Sequence, residues 1–248
     1  DLDGDGLDDL AVGAVAHGDQ NHGATYVVYG APVGDFSLGD AGSKLSGSEY
    51  QHTAGWAIAG RGDANGDGLP DLAATAKWDD EGGFHAGAVY VVLSPIPAAI
   101  VVDEAHAKLF GDHESDLAGH GLAFVGDQDG DGTDDLLIGA PQYAFGTDPG
   151  KAYLVHNPVT GTVPLSSITS VLIGESDDDW AGYSVADAGD VDGDGDHDML
   201  VGAPAESTAG YRSGVAYLVL EDVTTEQSLA DADARFLGEN QEDHAGMG

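Results

Sequence analysis

The sequence predicts an all-β repeat protein, a β-propeller of four-stranded antiparallel blades, on three observations. A nine-residue motif, D-x-[DN]-G-D-G-x-x-D, occurs four times: DLDGDGLDD from Asp1, DANGDGLPD from Asp63, DQDGDGTDD from Asp127 and DVDGDGDHD from Asp190. Its starts lie 62, 64 and 63 residues apart. Each unit then carries the same short strand-like runs, bounded by Gly, Pro, Asn and Asp clusters. No window sustains the 3.6-residue apolar period of a helical solenoid. Units of about 40 to 60 residues holding four short strands are blades, which bury their faces only by stacking on neighbours.

Taken in order, the first unit offers DLAVGA, ATYVVYG and SKLSG, and its opening strand would precede Asp1. The second reads WAIAG, DLAATA, AVYVVL and AKLFG. The third gives HGLAFVG (residues 120–126), DLLIGAP (135–141), KAYLVH (151–156) and SVLIG (170–174), and the fourth YSVADAG, DMLVGAP, VAYLVL and ARFLG. FLGENQEDHAGMG, from Phe236, repeats LIGESDDDWAGYS, from Leu172. The expected organisation is one array over residues 1–248, with repeats at 1–53, 54–117, 118–180 and 181–244, and 245–248 starting another. A chain that begins inside a repeat is expected to be part of a longer propeller.

The motif places side-chain oxygens at positions 1, 3, 5 and 9 and glycines at 4 and 6. Such a loop suits Ca²⁺, a hard cation that takes 6 to 8 oxygens, and a glycine at position 6 permits the sharp turn. The candidate ligands are Asp1, Asp3, Asp5 and Asp9; Asp63, Asn65, Asp67 and Asp71; Asp127, Asp129, Asp131 and Asp135; and Asp190, Asp192, Asp194 and Asp198. The position-7 carbonyls of Leu7, Leu69, Thr133 and Asp196 complete the sets, for about four Ca²⁺ in all. An EF-hand would need Glu at position 12. Val12, Ala74, Ile138 and Val201 stand there, in strand-like runs, so that reading fails. Weak Ca²⁺ sites fill at extracellular concentrations, and the expected location is therefore secreted or at the cell surface.

Composition narrows the function further. Seven Lys and Arg face 45 Asp and Glu, a net charge of −38 that excludes nucleic acid and anionic membranes as partners. No run of 18 apolar residues is present to insert into a bilayer. Cysteine is absent, which removes disulfides, thiolate metal sites and a Cys nucleophile.

AGYSVADAGDVDGDGDHDMLVGAP, from Ala181, followed by GVAYLVL resembles the FG-GAP repeat of integrin α-subunit propellers and their bacterial relatives. The resemblance covers nearly the whole chain and implies a Ca²⁺-stabilised propeller of about seven blades, roughly 440 residues at this repeat length. The chain departs from the pattern in two places. The Phe of FG is Ala at Ala54, Ala118, Ala181 and Ala245, so Trp56, Trp180 or Leu117 is expected to fill the blade junction. GAP is kept at Gly139 and Gly202 but reads Gly-Ala-Val at Gly13 and Thr-Ala-Lys at Thr75.

By strand parity the second-to-third and blade-to-blade loops share the end opposite the metal loops. They carry Trp78, Phe84, Tyr143, Phe145, Trp180, Tyr211 and Arg212 beside many carboxylates. Aromatics beside charges suit recognition, so a protein or glycan ligand is expected there. Arg61-Gly62-Asp63 spells an adhesion triplet, but Asp63 is the first residue of the second metal loop. The ten histidines form no H-x-x-x-H or H-E-x-x-H pair, and no nucleophile elbow or phosphate loop occurs. The reading is a non-enzymatic calcium-binding adhesion or interaction module. The alternatives are the propeller domain of a secreted hydrolase or lyase, which a central cluster of His, Arg and carboxylates would favour, and a lectin.

Overall fold

The computed structural model describes residues 1–48, 52–142, 148–157, 159–220 and 222–248. Blade one holds β1 (Leu10–Ala14), β2 (Ala24–Val28) and β3 (Ser43–Ser46). Blade two holds β4 (Ala54–Gly60), β5 (Leu72–Ala76), β6 (Ala88–Val92) and β8 (Ala107–Phe110). Blade three holds β9 (Leu122–Phe124), β10 (Leu136–Ala140), β11 (Lys151–Val155) and β13 (Val171–Ile173). Blade four holds β14 (Ser184–Gly189), β15 (Asp198–Ala203), β16 (Val215–Val219) and β18 (Ala234–Leu237). Successive strands of a blade pair antiparallel, so the molecule is an all-β propeller array, and each predicted run falls on its strand to within two residues.

Three further strands extend the expected blades. β7 (Ala99–Val101), β12 (Gly161–Pro164) and β17 (Glu226–Ser228) each lie between the third and fourth strands of their own unit. Each pairs in parallel with the last strand of the preceding blade: β7 with β3, β12 with β8, and β17 with β13. A short 3-10 turn follows each one and buries its first residue, Val102, Leu165 or Leu229. The outer edge of a blade is thus capped by the next repeat, which hides N–H and C=O groups that would otherwise lie open.

Strand alternation sends neighbouring residues into different cores, because successive side chains point to opposite faces. On β10, Leu136, Ile138 and Ala140 pack against Ala73, Val89 and Leu109 of blade two, while Leu137 joins Met199, Val201 and Tyr217 of blade four. A third core joins Val27 and Leu45 of blade one to Leu72, Ala74 and Tyr90 of blade two. Second strands inside the array are therefore buried on both faces and read as continuous apolar runs. The two end faces are bare: Leu10 and Val12 on one side, Phe236 on the other.

The blade junctions close without a plug. Ala54 donates its N–H to His22 O at 3.0 Å, and Ala118, Ala181 and Ala245 repeat this bond to Ala86, Pro149 and Ser213. Gly23, Gly87, Gly150 and Gly214 sit alongside with φ of +75° to +81°, and a Cβ on any of them would run into the backbone of the facing alanine. The main chains have approached as far as atoms allow, which leaves no room for an aromatic ring. The expectation for Trp56 is thereby corrected. Trp56 is 41% exposed, and Trp56 and Leu117 line a surface pocket instead.

Candidate metal centres

Each nine-residue motif forms the loop leading into a second strand, and its shape comes from its own residues. The glycines at positions 4 and 6 all have positive φ, from +74° at Gly66 to +108° at Gly195. Nothing crowds Gly6, Gly68, Gly132 or Gly195, so backbone conformation, not space, requires glycine there. Carboxylates at position 1 fold back onto loop amides five residues on. Gly6 N–H donates to Asp1 Oδ2 at 2.9 Å, Gly68 N–H to Asp63 Oδ2 at 2.7 Å and Gly132 N–H to Asp127 Oδ2 at 2.9 Å.

This brings carboxylates together. Oxygens of Asp1, Asp3 and Asp5 lie within 4.8 Å of one another, and so do those of Asp127, Asp129 and Asp131 and of Asp190, Asp192 and Asp194. In the second loop Asn65 takes the middle place: its Oδ1 accepts from Asp67 N–H at 2.9 Å, and its Nδ2 donates to Asp67 Oδ2 at 3.1 Å. The donor sets are all oxygen, which fits a hard cation.

The position-9 residues Asp9, Asp71, Asp135 and Asp198 have a structural task as well. Each accepts the N–H of position 2, from Leu2, Ala64, Gln128 and Val191. Asp9, Asp71 and Asp135 also accept an N–H just past the third strand, from Gly30, Ser94 and Asn157. They staple the loop to its blade and stand outside the clusters formed by positions 1, 3 and 5. Burial pushes the Asp71 carboxyl up to about 6, partly offset by its two backbone bonds.

Of the position-7 residues, Leu7 and Asp196 are exposed and Leu69 is half-buried. Thr133 is buried, and its hydroxyl donates to Asp131 Oδ1 at 2.6 Å. Neighbouring loops also touch, since Asp63 N–H donates to Asp134 Oδ2 at 2.8 Å and Asp134 N–H returns to Asp63 O at 2.9 Å. Asp63 is thereby engaged at both main chain and side chain, which removes it from any adhesion triplet.

Sequence reasoning missed one residue at these loops. His156, just after β11, turns Nδ1 toward Asp135 Oδ2 at 3.0 Å and Asp129 Oδ2 at 3.7 Å. Its Nε2 faces Ser170 Oγ at 3.2 Å and Asp222 Oδ1 at 3.9 Å. Its partners lie 14 to 66 residues away, so no local motif betrays the group; the single polar residue among Tyr29, Leu93, His156 and Leu220, which share this repeat position, was the available signal only in retrospect.

At the opposite end, Lys77 places Nζ 3.0 Å from the ring centroid of Trp56, in a pocket of about 330 Å³ with Trp78, His85, His120 and Tyr183. Burial lowers Lys77 to about 8 and His120 to about 4. Tyr211 and Phe84 are exposed, and Arg212 lies over the rings of Trp180 and Tyr211. The expected contributions of Tyr143 and Phe145 fall outside the described residues. Between the inner strands β4, β9 and β14 lies a cavity of about 750 Å³ that does gather Arg61, His197, Asp127, Asp134, Asp187 and Asp196. His197 Nδ1 pairs with Asp187 Oδ1 at 3.0 Å. The described lining holds no Ser, Thr, Cys, Tyr or Lys to act as nucleophile.

Stacked blades, each with an aspartate-rich loop entering its second strand, define a repeat propeller of the integrin α-subunit type. The FG-GAP repeat matches residues 54–92, 118–155 and 181–219, and the chain belongs to the FG-GAP repeat proteins. It is similar to Integrin alpha pat-2 of Caenorhabditis briggsae, 30% identical over 235 residues, covering 89% of this chain and 18% of that protein. Integrin alpha-7 of Rattus norvegicus is 32% identical over 189 residues, 75% of this chain and 16% of that protein. Phosphatidylinositol-glycan-specific phospholipase D of Rattus norvegicus is 34% identical over 170 residues, 65% of this chain and 20% of that protein. The aligned part is thus a fifth or less of each relative. No helix among the described residues is long and apolar enough to cross a membrane.

Proposed function

We propose that this chain is a calcium-stabilised, non-catalytic part of a longer propeller that binds a protein or glycan at an extracellular surface. The observation that carries it is the recurrence, in phase, of gathered carboxylates in the first, third and fourth loops. Bound Ca²⁺ would supply the positive charge that lets such carboxylates sit side by side, and so add to folding stability. Asp1, Asp3 and Asp5 would hold one ion, Asp63, Asn65 and Asp67 a second, Asp127, Asp129 and Asp131 a third, and Asp190, Asp192 and Asp194 a fourth. Asp9, Asp71, Asp135 and Asp198, with the carbonyls of Leu7, Leu69, Thr133 and Asp196, would complete the four sets, and the position-9 aspartates also tie each loop to its blade. Bare apolar faces on blades one and four support further blades beyond both.

The recognition surface in this reading is the end away from the loops, where Trp78 and Tyr211 stand beside the acidic junctions. Calorimetric titration of the full chain tests the metal: about four Ca²⁺ are expected, and fewer than three at millimolar Ca²⁺ sinks the reading. Trp78→Ala with Tyr211→Ala should weaken partner binding and leave Ca²⁺ stoichiometry intact, whereas Asp192→Ala should do the reverse. Aromatic variants that unfold the chain would place those rings in its core and refute the surface.

A second reading, an enzyme, has the axial cavity in its favour, with Arg61 beside the His197–Asp187 pair. Its described lining holds no Ser, Thr, Cys, Tyr or Lys, and metal-independent hydrolysis lost in His197→Ala would establish it over the first.

A further inference from the structure

We propose that the third loop is a mixed nitrogen and oxygen site for a first-row transition ion, Zn²⁺ by preference, held by Asp129, Asp135 and His156 Nδ1, with Asp222 orienting the imidazole. This deepens the calcium reading, since Asp129 and Asp135 belong to a loop assigned to Ca²⁺ above.

The geometry sets this loop apart from the other three. Donor atoms of Asp129, Asp135 and His156 all lie within 4.8 Å of one another, a second cluster beside that of positions 1, 3 and 5. Asp135 is fully buried, its place fixed by N–H bonds from Gln128 and Asn157 that leave lone pairs on both oxygens. Asp129 uses Oδ1 for the Asp131 N–H and turns Oδ2 toward the imidazole. Two carboxylates and an imidazole are three protein ligands, with room for water as a fourth, a set that Zn²⁺ accepts. A nitrogen donor discriminates against Ca²⁺, which prefers oxygen, and toward the later first-row ions.

The far side of the ring fits the same purpose. Metal-bound histidines almost always hand their other N–H to a carboxylate or a similar acceptor, which fixes the tautomer. His156 Nε2 faces Ser170 Oγ and Asp222 Oδ1. That Asp222 oxygen is shielded from water and has no hydrogen bond among the described residues. Asp222 follows β16 of the next blade, so the site spans a blade junction. The same repeat position holds Tyr29, Leu93 and Leu220 elsewhere, and at that position only blade three offers nitrogen.

The test is Zn²⁺ titration of the full chain by calorimetry in saturating Ca²⁺, with Co²⁺ absorption reporting nitrogen ligation. One Zn²⁺ per chain is expected. His156→Gln, which can still bond Ser170, should weaken it at least about tenfold, and Asp222→Asn about ten- to a hundredfold. Unchanged Zn²⁺ affinity in either variant, or no Zn²⁺ bound by the unaltered chain, overturns the proposal. Should His156→Gln fail to fold, Asp222→Asn decides alone, because it lies outside the loop. Ca²⁺ stoichiometry is read separately: Zn²⁺ binding through His156 without Ca²⁺ at the other loops would overturn the calcium reading and leave this one standing.

Discussion

Leu109 and Phe236 occupy the same position of the last strand in blades two and four, one inside the array and the other at its end. Leu109 is 0% exposed in the core between blades two and three, whereas Phe236 is 55% exposed. Leu109→Ala removes a packed side chain and leaves a hole between rigid sheets, a change that costs about 2–5 kcal/mol. At about 2–4 °C per kcal/mol for a chain of this size, a cost near 3 kcal/mol lowers Tm by roughly 6–12 °C. Phe236→Ala opens no cavity. Complete burial of a Phe side chain is worth about 1.5–3 kcal/mol, and less than half of it is buried here, so roughly 1 kcal/mol and a shift of about 2–4 °C follow. Both variants should be melted at fixed Ca²⁺ and salt and at two protein concentrations. Equal losses that persist on dilution would refute the stacking account, because they would mean that the end face is as covered as the interior. A loss below about 1 kcal/mol for Leu109→Ala would refute it from the other side.

Other outcomes follow from the same geometry. Gly150→Ala forces a Cβ into Ala181 at φ +80°, whereas Gly161→Ala meets nothing at φ +72°. The second should cost only the conformational term, about 1–2 kcal/mol, and the first clearly more, by thermal or denaturant unfolding. Burial beside Glu206, Glu175 and Asp177 pushes Asp179 up to about 6 from 3.8. A raised carboxylate pKa penalises the native state above about 6, and the penalty fades as pH falls toward 3.8. Asp179→Asn, whose Oδ1 can still accept the Ser176 N–H, should therefore gain Tm over the unaltered chain at neutral pH and lose that gain in acid; parallel curves would contradict this. Asn65 leaves the second loop one charge short, so it should be the weakest Ca²⁺ site, and Asn65→Asp should tighten it in a calorimetric titration.

The antiparallel blades were legible because second and third strands such as LLIGA and VAYLV are apolar on both faces and recur at the same place in every repeat. The donated strands were not. AIV, GTVP and EQS share no composition, and a parallel pairing made through the backbone at a sheet edge demands none. A periodic trace did exist in the turns that follow, where Leu38, Val102, Leu165 and Leu229 recur 64, 63 and 64 residues apart. The alanine junctions were legible as a departure but misread, since a missing ring suggests a hole until the facing glycines Gly23, Gly87, Gly150 and Gly214 are seen to bring the main chains together. Positions 1, 3 and 5 of the first, third and fourth aspartate-rich loops gather as their spacing implies. His156 and Asp222 could not be foreseen, because they meet across two blades.

The donated outer strand also governs the order in which the chain can mature on the ribosome. β3 ends at Ser46, yet the strand that covers its edge begins at Ala99. More than fifty residues must emerge while that edge stays open, and the same wait recurs for β8 and β13. A nascent blade is sticky until its successor arrives, and protection travels backward along the chain as synthesis moves forward. The same weave limits where such a chain can end: a cut at any repeat boundary strips the blade before it of its outer strand.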